Sequence, residues 1–235
     1  FTGAELVADK WNLSREDLDK FALESHQKAA HATESKYFDR EILPVEGRNS
    51  EGMNDLVMAD EGIRFDASLD KLAGLNPVTE GGVITAGNAS QITDGAAAVM
   101  VCNDAGLKKI QASPRAEIVS ISVVGDDPVF MLTGPIPASI QALKTANLTI
   151  DDMDLYEVNE AFAPVPLAWA EELKADRSKL NVNGGAMALG HPLGATGAKL
   201  MTTLLHEMER RESTYGLQAI CEGGGTANAT IIKRI

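Results

Sequence analysis

Apolar and polar positions alternate along the chain in two different rhythms, and the change falls near Pro114. Downstream the pattern is regular. Ala116 to Val124 alternates with a period of two and predicts a strand. Pro135 suits the first turn of a helix, with Ile136, Ile140 and Leu143 on one face. Leu155 to Val158 predicts a short strand. Phe162 to Leu173 predicts a helix that holds Pro164 and Pro166 in its first turn, where their missing N–H groups cost nothing. Leu180 to Asn183 predicts another strand. Gly197, Leu200, Met201, Leu204, Leu205 and Met208 mark an amphipathic helix. Leu217 to Cys221 and Thr230 to Ile232 predict two closing strands around Gly223, Gly224 and Gly225. This order predicts an α/β fold with a mixed five-stranded sheet covered by helices.

Upstream the pattern is looser. Residues 14–36 predict a helix, with Ser14 and Asp17 spaced as a variant capping box and Leu18, Phe21 and Ser25 on its inner stripe. Residues 41–65 predict a hairpin or loose loops, and 74–95 a glycine-rich loop. Ala96 to Cys102 is a continuous apolar run that fits a buried strand or a helix segment. The change near Pro114 thus divides the chain into a looser part and a regular one.

Composition narrows the function classes. The 235 residues are 44% hydrophobic and 23% charged, so a sizeable core is available. A net charge of −13 repels a phosphate backbone and argues against nucleic acid as a partner. No apolar run reaches the roughly 20 residues of a membrane-spanning helix. The first residues lack the layout of a signal peptide. Cys102 and Cys221 form no disulfide framework, and a reducing cytoplasm is the expected compartment. The chain opens on Phe1 instead of Met, so an upstream portion is expected. No cluster has metal-ligand spacing, and neither a GxGxxG nor a Walker loop is present.

Four segments break the local rules of their surroundings: Thr85 to Ser90, Asn159 to Ala163, Gly184 to Gly194 and Cys221 to Gly225. Each lies at the end of a strand pattern, and in open α/β sheets the strand C-termini line the ligand crevice. Asn159, His191 and Cys221 are therefore candidates to converge. His191, fixed between Gly190 and Pro192, is either a proton carrier or a loop histidine bonded to backbone. Cys221 is a nucleophile, a general base or a buried structural thiol, and the glycines after it have N–H groups suited to an oxyanion. Asn159 holds a water or carbonyl, or only caps a helix. The segment around Ser90 approaches a phosphate or pantetheine-like chain, or is only a surface loop. Cys102 is expected in the core, and His26, His31 and His206 on solvated helical faces.

Taken together, TAGNAS…DGAAA, GPIPA, NEAFA, NVNGGAMALGHPLGATGA and CEGGG resemble the thiolase family over essentially the whole chain. CEGGGTANATII and NEAFAPVPLAW look most like bacterial degradative acetyl-CoA acyltransferases. The resemblance implies a thiolase fold. It implies that 3-ketoacyl-CoA and CoA give a shortened acyl-CoA and acetyl-CoA, or the reverse Claisen condensation, with coenzyme A as substrate and no other cofactor. It makes His191 the group that activates a nucleophilic cysteine and, with a water on Asn159, one oxyanion hole. Cys221 becomes the acid/base, and the Gly223 N–H part of a second oxyanion hole. Ser90 matches a pantetheine contact, Arg64 a residue beside the adenine of CoA, and Met131 a wall of the acyl pocket.

The family's acyl-carrying cysteine has no counterpart here, so 92–114 is expected to be the tail of a truncated N-terminal domain. Its apolar run Ala96 to Val101 is expected to be exposed unless a partner covers it. A homodimer or homotetramer is implied, and a catalytically incompetent fragment that keeps the fold and CoA binding is the alternative. Members often carry Gly where Leu132 and Ala227 stand. A ketoacyl synthase would place a second catalytic histidine at Asn159, and NEAFA disfavours it.

Overall fold

The computed structural model describes residues 1–48 and 51–235. In the first part α1 (Thr2–Lys10) precedes α2 (Arg15–Glu34). Ser14 caps α2 with a reciprocal box: its Oγ accepts from Asp17 N, and the Asp17 carboxylate accepts from Ser14 N at 2.9 Å. The antiparallel pair β1 (Val45–Arg48) and β2 (Asn54–Val57), then the short α3 (Leu69–Ala73), complete the region.

Residues 94–103 form neither helix nor strand, and Val99, Met100 and Val101 are exposed. Cys102 is exposed too, which corrects its expected place in the core. The run makes no ladder, so nothing seats it against the sheet. The seven-residue α4 (Asp104–Ile110) follows, capped by the Asn103 side chain.

The remainder is β3 (Ala116–Gly125), α5 (Pro135–Ala146), β4 (Leu155–Val158), α6 (Pro164–Leu173), α7 (Ala186–Leu189), α8 (Thr196–Arg211), β5 (Tyr215–Cys221) and β6 (Thr226–Arg234). The sheet runs β3-β6-β5-β4, with β4 parallel to β5 and the other neighbours antiparallel. It is mixed, as its sequence predicts, but has four strands in place of five. The reason lies at Asn181, whose φ is +43°. Its backbone N–H reaches Tyr156 O, and then its side chain replaces the peptide: Oδ1 accepts from Val158 N and Nδ2 donates to Val158 O, both at 2.9 Å. The predicted strand Leu180 to Asn183 therefore stops after one bridge.

Alternation along the strands sorts two faces. Tyr156 and Val158 of β4, with Leu217, Ala219 and Cys221 of β5, join the core under α5 and α6, whose centre is the fully buried Trp169. Residues Ala4 and Val7 of α1 and Leu18 and Phe21 of α2 belong to the same core. Leu155, with Ile232, packs on Leu204 and Met208 of α8 across the other face. On α5, Ile140 is 52% exposed and not on the inner face with Ile136 and Leu143. Small residues take its place: Ala138 and Ala142 lie close enough to the sheet for their carbonyls to accept from Ser122 and Ser120 hydroxyls of β3.

Candidate active site

The parallel strands β4 and β5 end at the same edge of the sheet, with Asn159 directly after one and Cys221 closing the other. Asn159 N still donates to Ala219 O at 3.0 Å, so the turn begins from a fixed point. The next residue, Glu160, braces that turn. Its buried carboxylate accepts from Ser25 Oγ at 2.7 Å, Asn181 Nδ2 at 2.9 Å and Met187 N at 3.2 Å. These bonds tie α2, the Asn181 corner and α7 to the turn. Burial raises the Glu160 carboxyl, and the three donors pull it back. Gly185 is required beside it, since a Cβ there would overlap the Glu160 carboxyl.

His191 leaves α7 through Gly190, whose φ is +82° and where a Cβ would collide with Thr93. His191 N donates to Gln91 O at 3.0 Å, and Gln91 Nε2 donates to Gly62 O and Met187 O, each at 2.7 Å. The ring is held at both nitrogens. Nδ1 lies 2.6 Å from Thr196 Oγ1, and Nε2 lies 3.3 Å from Asn159 Nδ2. The Thr196 hydroxyl donates its only proton to Pro192 O at 3.0 Å, so it accepts from His191 Nδ1–H. The lone pair is then on Nε2, facing the Asn159 amide. Burial lowers the imidazole pKa, and the Lys199 ammonium lowers it further. A neutral ring with a basic Nε2 can take a proton there.

Cys221 is buried on the α5–α6 side of β5, and burial pushes its thiol up to about 12. Among the described residues no hydrogen bond joins its Sγ to Asn159 or His191. The structure thus brings Asn159 and His191 into contact and sets Cys221 at the neighbouring strand end. Gly223 is exposed in a 3-10 turn with open space where a side chain would go. Gly225, at φ +84°, packs under Asp126 and Pro128, and Asp126 N donates to its carbonyl at 2.7 Å. That bond joins the glycine turn to the loop carrying Met131, a half-buried residue at φ +56°.

Ser90 N donates to Ala161 O at 3.0 Å, and Ala89 bridges Phe162, so the Thr85 to Ser90 segment lies along the NEAFA turn. Arg64 is exposed, and its backbone N donates to His26 Nδ1 at 3.1 Å. His26 is buried, not solvated as expected, because it serves as that acceptor beneath the loop. His206 is half-buried against Thr202 O and Glu41, again unlike the expectation, while His31 is exposed as predicted. Glu160, Thr196 and Gln91 organise the site and escape sequence reading. Their partners lie far away in sequence, or look like ordinary helix residues.

Comparison with known proteins decides the family. Residues 112–234 match the thiolase C-terminal domain, and residues 2–105 match the thiolase N-terminal domain. The chain belongs to the thiolase family. A "Steroid 3-ketoacyl-CoA thiolase FadA6" of Mycobacterium tuberculosis is 54% identical over 235 residues, all of this chain and 56% of that protein. The crystal structure of a Bacillus anthracis acetyl-CoA acetyltransferase is 40% identical with a TM-score of 0.95, over 100% of this chain and 59% of that one. The crystal structure of human mitochondrial 3-ketoacyl-CoA thiolase in complex with CoA is 40% identical with a TM-score of 0.91, over 100% and 58%. This thiolase-family chain thus spans a little under three fifths of the length of these proteins. No helix among its described residues is long and apolar enough to cross a membrane.

Proposed function

We propose that the protein acts as a thiolase-type acyltransferase, converting a 3-ketoacyl-CoA and CoA into a shortened acyl-CoA and acetyl-CoA, or running the reverse condensation. The observation that carries this reading is the His191 ring, held by Thr196 with its basic Nε2 turned to the Asn159 amide at the end of a parallel strand pair. His191 takes the proton of an acyl-accepting thiol at Nε2, whose lone pair the Asn159 amide gives up as the proton arrives. As imidazolium it then donates, with a water on Asn159, to the thioester oxygen as negative charge develops there. Cys221 is the acid/base of the Claisen step. Its raised pKa keeps it protonated, which suits a donor to an enolate and not an acyl carrier. The Gly223 N–H serves a second oxyanion hole, Ser90 and Arg64 contact CoA, and Met131 bounds the acyl pocket.

Coenzyme A is the proposed substrate, with no further cofactor, in a cytoplasmic homodimer or homotetramer. The division into a loop or cap domain over 1–91, the end of an N-terminal thiolase domain over 92–114 and a C-terminal thiolase domain over 115–235 belongs to the same proposal.

A second reading is favoured by one fact: the chain spans 56% of its Mycobacterium tuberculosis relative. Under it the chain keeps the fold and CoA binding without turning over. Intact-mass analysis after incubation with acetyl-CoA tests the roles that either reading gives the two thiols. On the 235-residue chain neither Cys102 nor Cys221 gains a stable acyl group. In a protein carrying the acyl-accepting thiol, His191→Ala slows acylation by roughly 10²- to 10⁴-fold. A stoichiometric adduct on Cys221 with turnover refutes the assignment of Cys221 as acid/base.

A further inference from the structure

Beside Asn159 lies a small cavity of about 10 Å³, lined by Glu157, Asn159, Gly185, Thr196, Lys199 and Thr203 among others. Glu157 and Asn159 are two residues apart, so both side chains leave the strand on the α8 side. They are 2% and 1% exposed. Glu157 Oε2 and Asn159 Oδ1 have no hydrogen-bond partner among the described residues. A buried acceptor without a donor forfeits the hydration it had in the unfolded chain, and such groups are ordinarily served by buried water. The cavity is close to the smallest that takes one water molecule. Thr196, the other partner of His191, lines it too.

We propose that this cavity is a structural water site built on Glu157, and that its water donates to Asn159 Oδ1 and so keeps Asn159 Nδ2 turned to His191 Nε2. Glu157 is then a positioning residue for the candidate active site, an inference that rests on the reading of His191 above. An amide has two orientations that fill nearly the same volume. In the flipped one, the Asn159 oxygen would face the Nε2 lone pair and lose the bond. A donor at Oδ1 selects against that flip, and Asn159 has none from the described residues. Burial, helped by the negative charges of Glu160, Glu41 and Glu207, raises the Glu157 carboxyl well above the carboxylate range. In its protonated form, which burial favours, it has an O–H of its own, able to donate to the water as well as accept from it.

Nuclear magnetic resonance of the His191 ring nitrogens and the Asn159 side-chain amide tests this without any turnover. The wild type is expected to show the Nδ1–H tautomer and one set of Asn159 amide signals. Glu157→Leu, which keeps the bulk and removes the donor, is expected to give mixed tautomers and shifted Asn159 signals. Glu157→Gln, which keeps a neutral donor, is expected to restore the wild-type pattern. A purely structural role for Glu157 predicts no change at His191 in either variant, and that result overturns the proposal. So does a Gln variant displaced as far as the Leu variant. Should both variants fail to fold, a high-resolution crystal structure of the wild type decides: an ordered water within hydrogen-bond distance of both oxygens supports the site, and its absence refutes it. Failure to turn over acyl-CoA strikes the proposed function and leaves these signals unaffected.

Discussion

Glu41→Gln is expected to remove a pH dependence of stability that the wild type carries. The Glu41 side chain is 7% exposed, and its Oε2 lies 3.5 Å from His206 Nδ1. Burial raises its carboxyl from 4.5 to about 7, against the Thr203 hydroxyl bond and the Lys199 charge, which lower it. Burial also lowers the His206 imidazole, which weakens it as a cationic partner for Glu41. In the unfolded chain the carboxyl ionises near 4.5; in the folded chain it stays protonated until about 7. Between these values the folded state binds more protons, so stability falls as pH rises and levels off above about 7. At about 1.4 kcal/mol per pH unit the full loss is about 3 kcal/mol, of which about 2 kcal/mol falls between about pH 5.5 and 8. Urea unfolding of both proteins across that range measures it. The difference in unfolding free energy, wild type minus variant, is expected to shrink by about 2 kcal/mol from acid to base. Parallel profiles would refute the reasoning, because the other titrating groups are common to both proteins.

Iodoacetamide should label Cys102 in the native protein and leave Cys221 unmodified until the chain unfolds, since one thiol is exposed and the other is buried with its pKa pushed up to about 12; peptide mass mapping that finds equal labelling in the native state would contradict the site geometry. Gly190→Ala should lower stability by about 1–3 kcal/mol through its left-handed backbone and the collision with Thr93, read as a drop in thermal midpoint. Asn181→Ala should cost about 2–4 kcal/mol, because it strips Val158 of both backbone partners and Glu160 of a donor; an unchanged urea midpoint would show that backbone or water replaces the amide.

The elements legible in the sequence were those whose partners are local or whose periodicity is strong. The capping box at Ser14, the strand at Leu155 and the amphipathic helix ending near Arg211 are written in adjacent residues. The apolar run at Ala96 to Cys102 forms neither the buried strand nor the helix its bare pattern fits, and lies exposed as expected where no partner covers it, because hydrophobicity says what a segment prefers and not whether a ladder is there to receive it. The strand expected at Leu180 failed for a subtler cause. Asn181 has the composition of a turn and the hydrogen bonds of a strand, and only the fold decides between them. Within the candidate site, glycine spacing and the NEAFA and GHP motifs pointed to Asn159 and His191. The acceptor role of the Thr196 hydroxyl depends on where Pro192 O lies, and that is a three-dimensional fact.

The amide of Asn181 also limits how this protein can vary. A strand seated by a ladder has alternatives, since a slip of two residues remakes the same bonds with the same faces turned inward. A segment seated by one side chain has no such second register. The chain between Asn181 and His191 is thus held between the Asn181 peg and the Gln91 carbonyl that receives His191 N–H, with Glu160 clasping the peg and the following turn together. Insertions or deletions there have no slippage to absorb them and would move the imidazole directly. Length changes are better tolerated on the far side of the peg, around the exposed residues Asp176 to Ser178, where the loop can lengthen without moving the anchor.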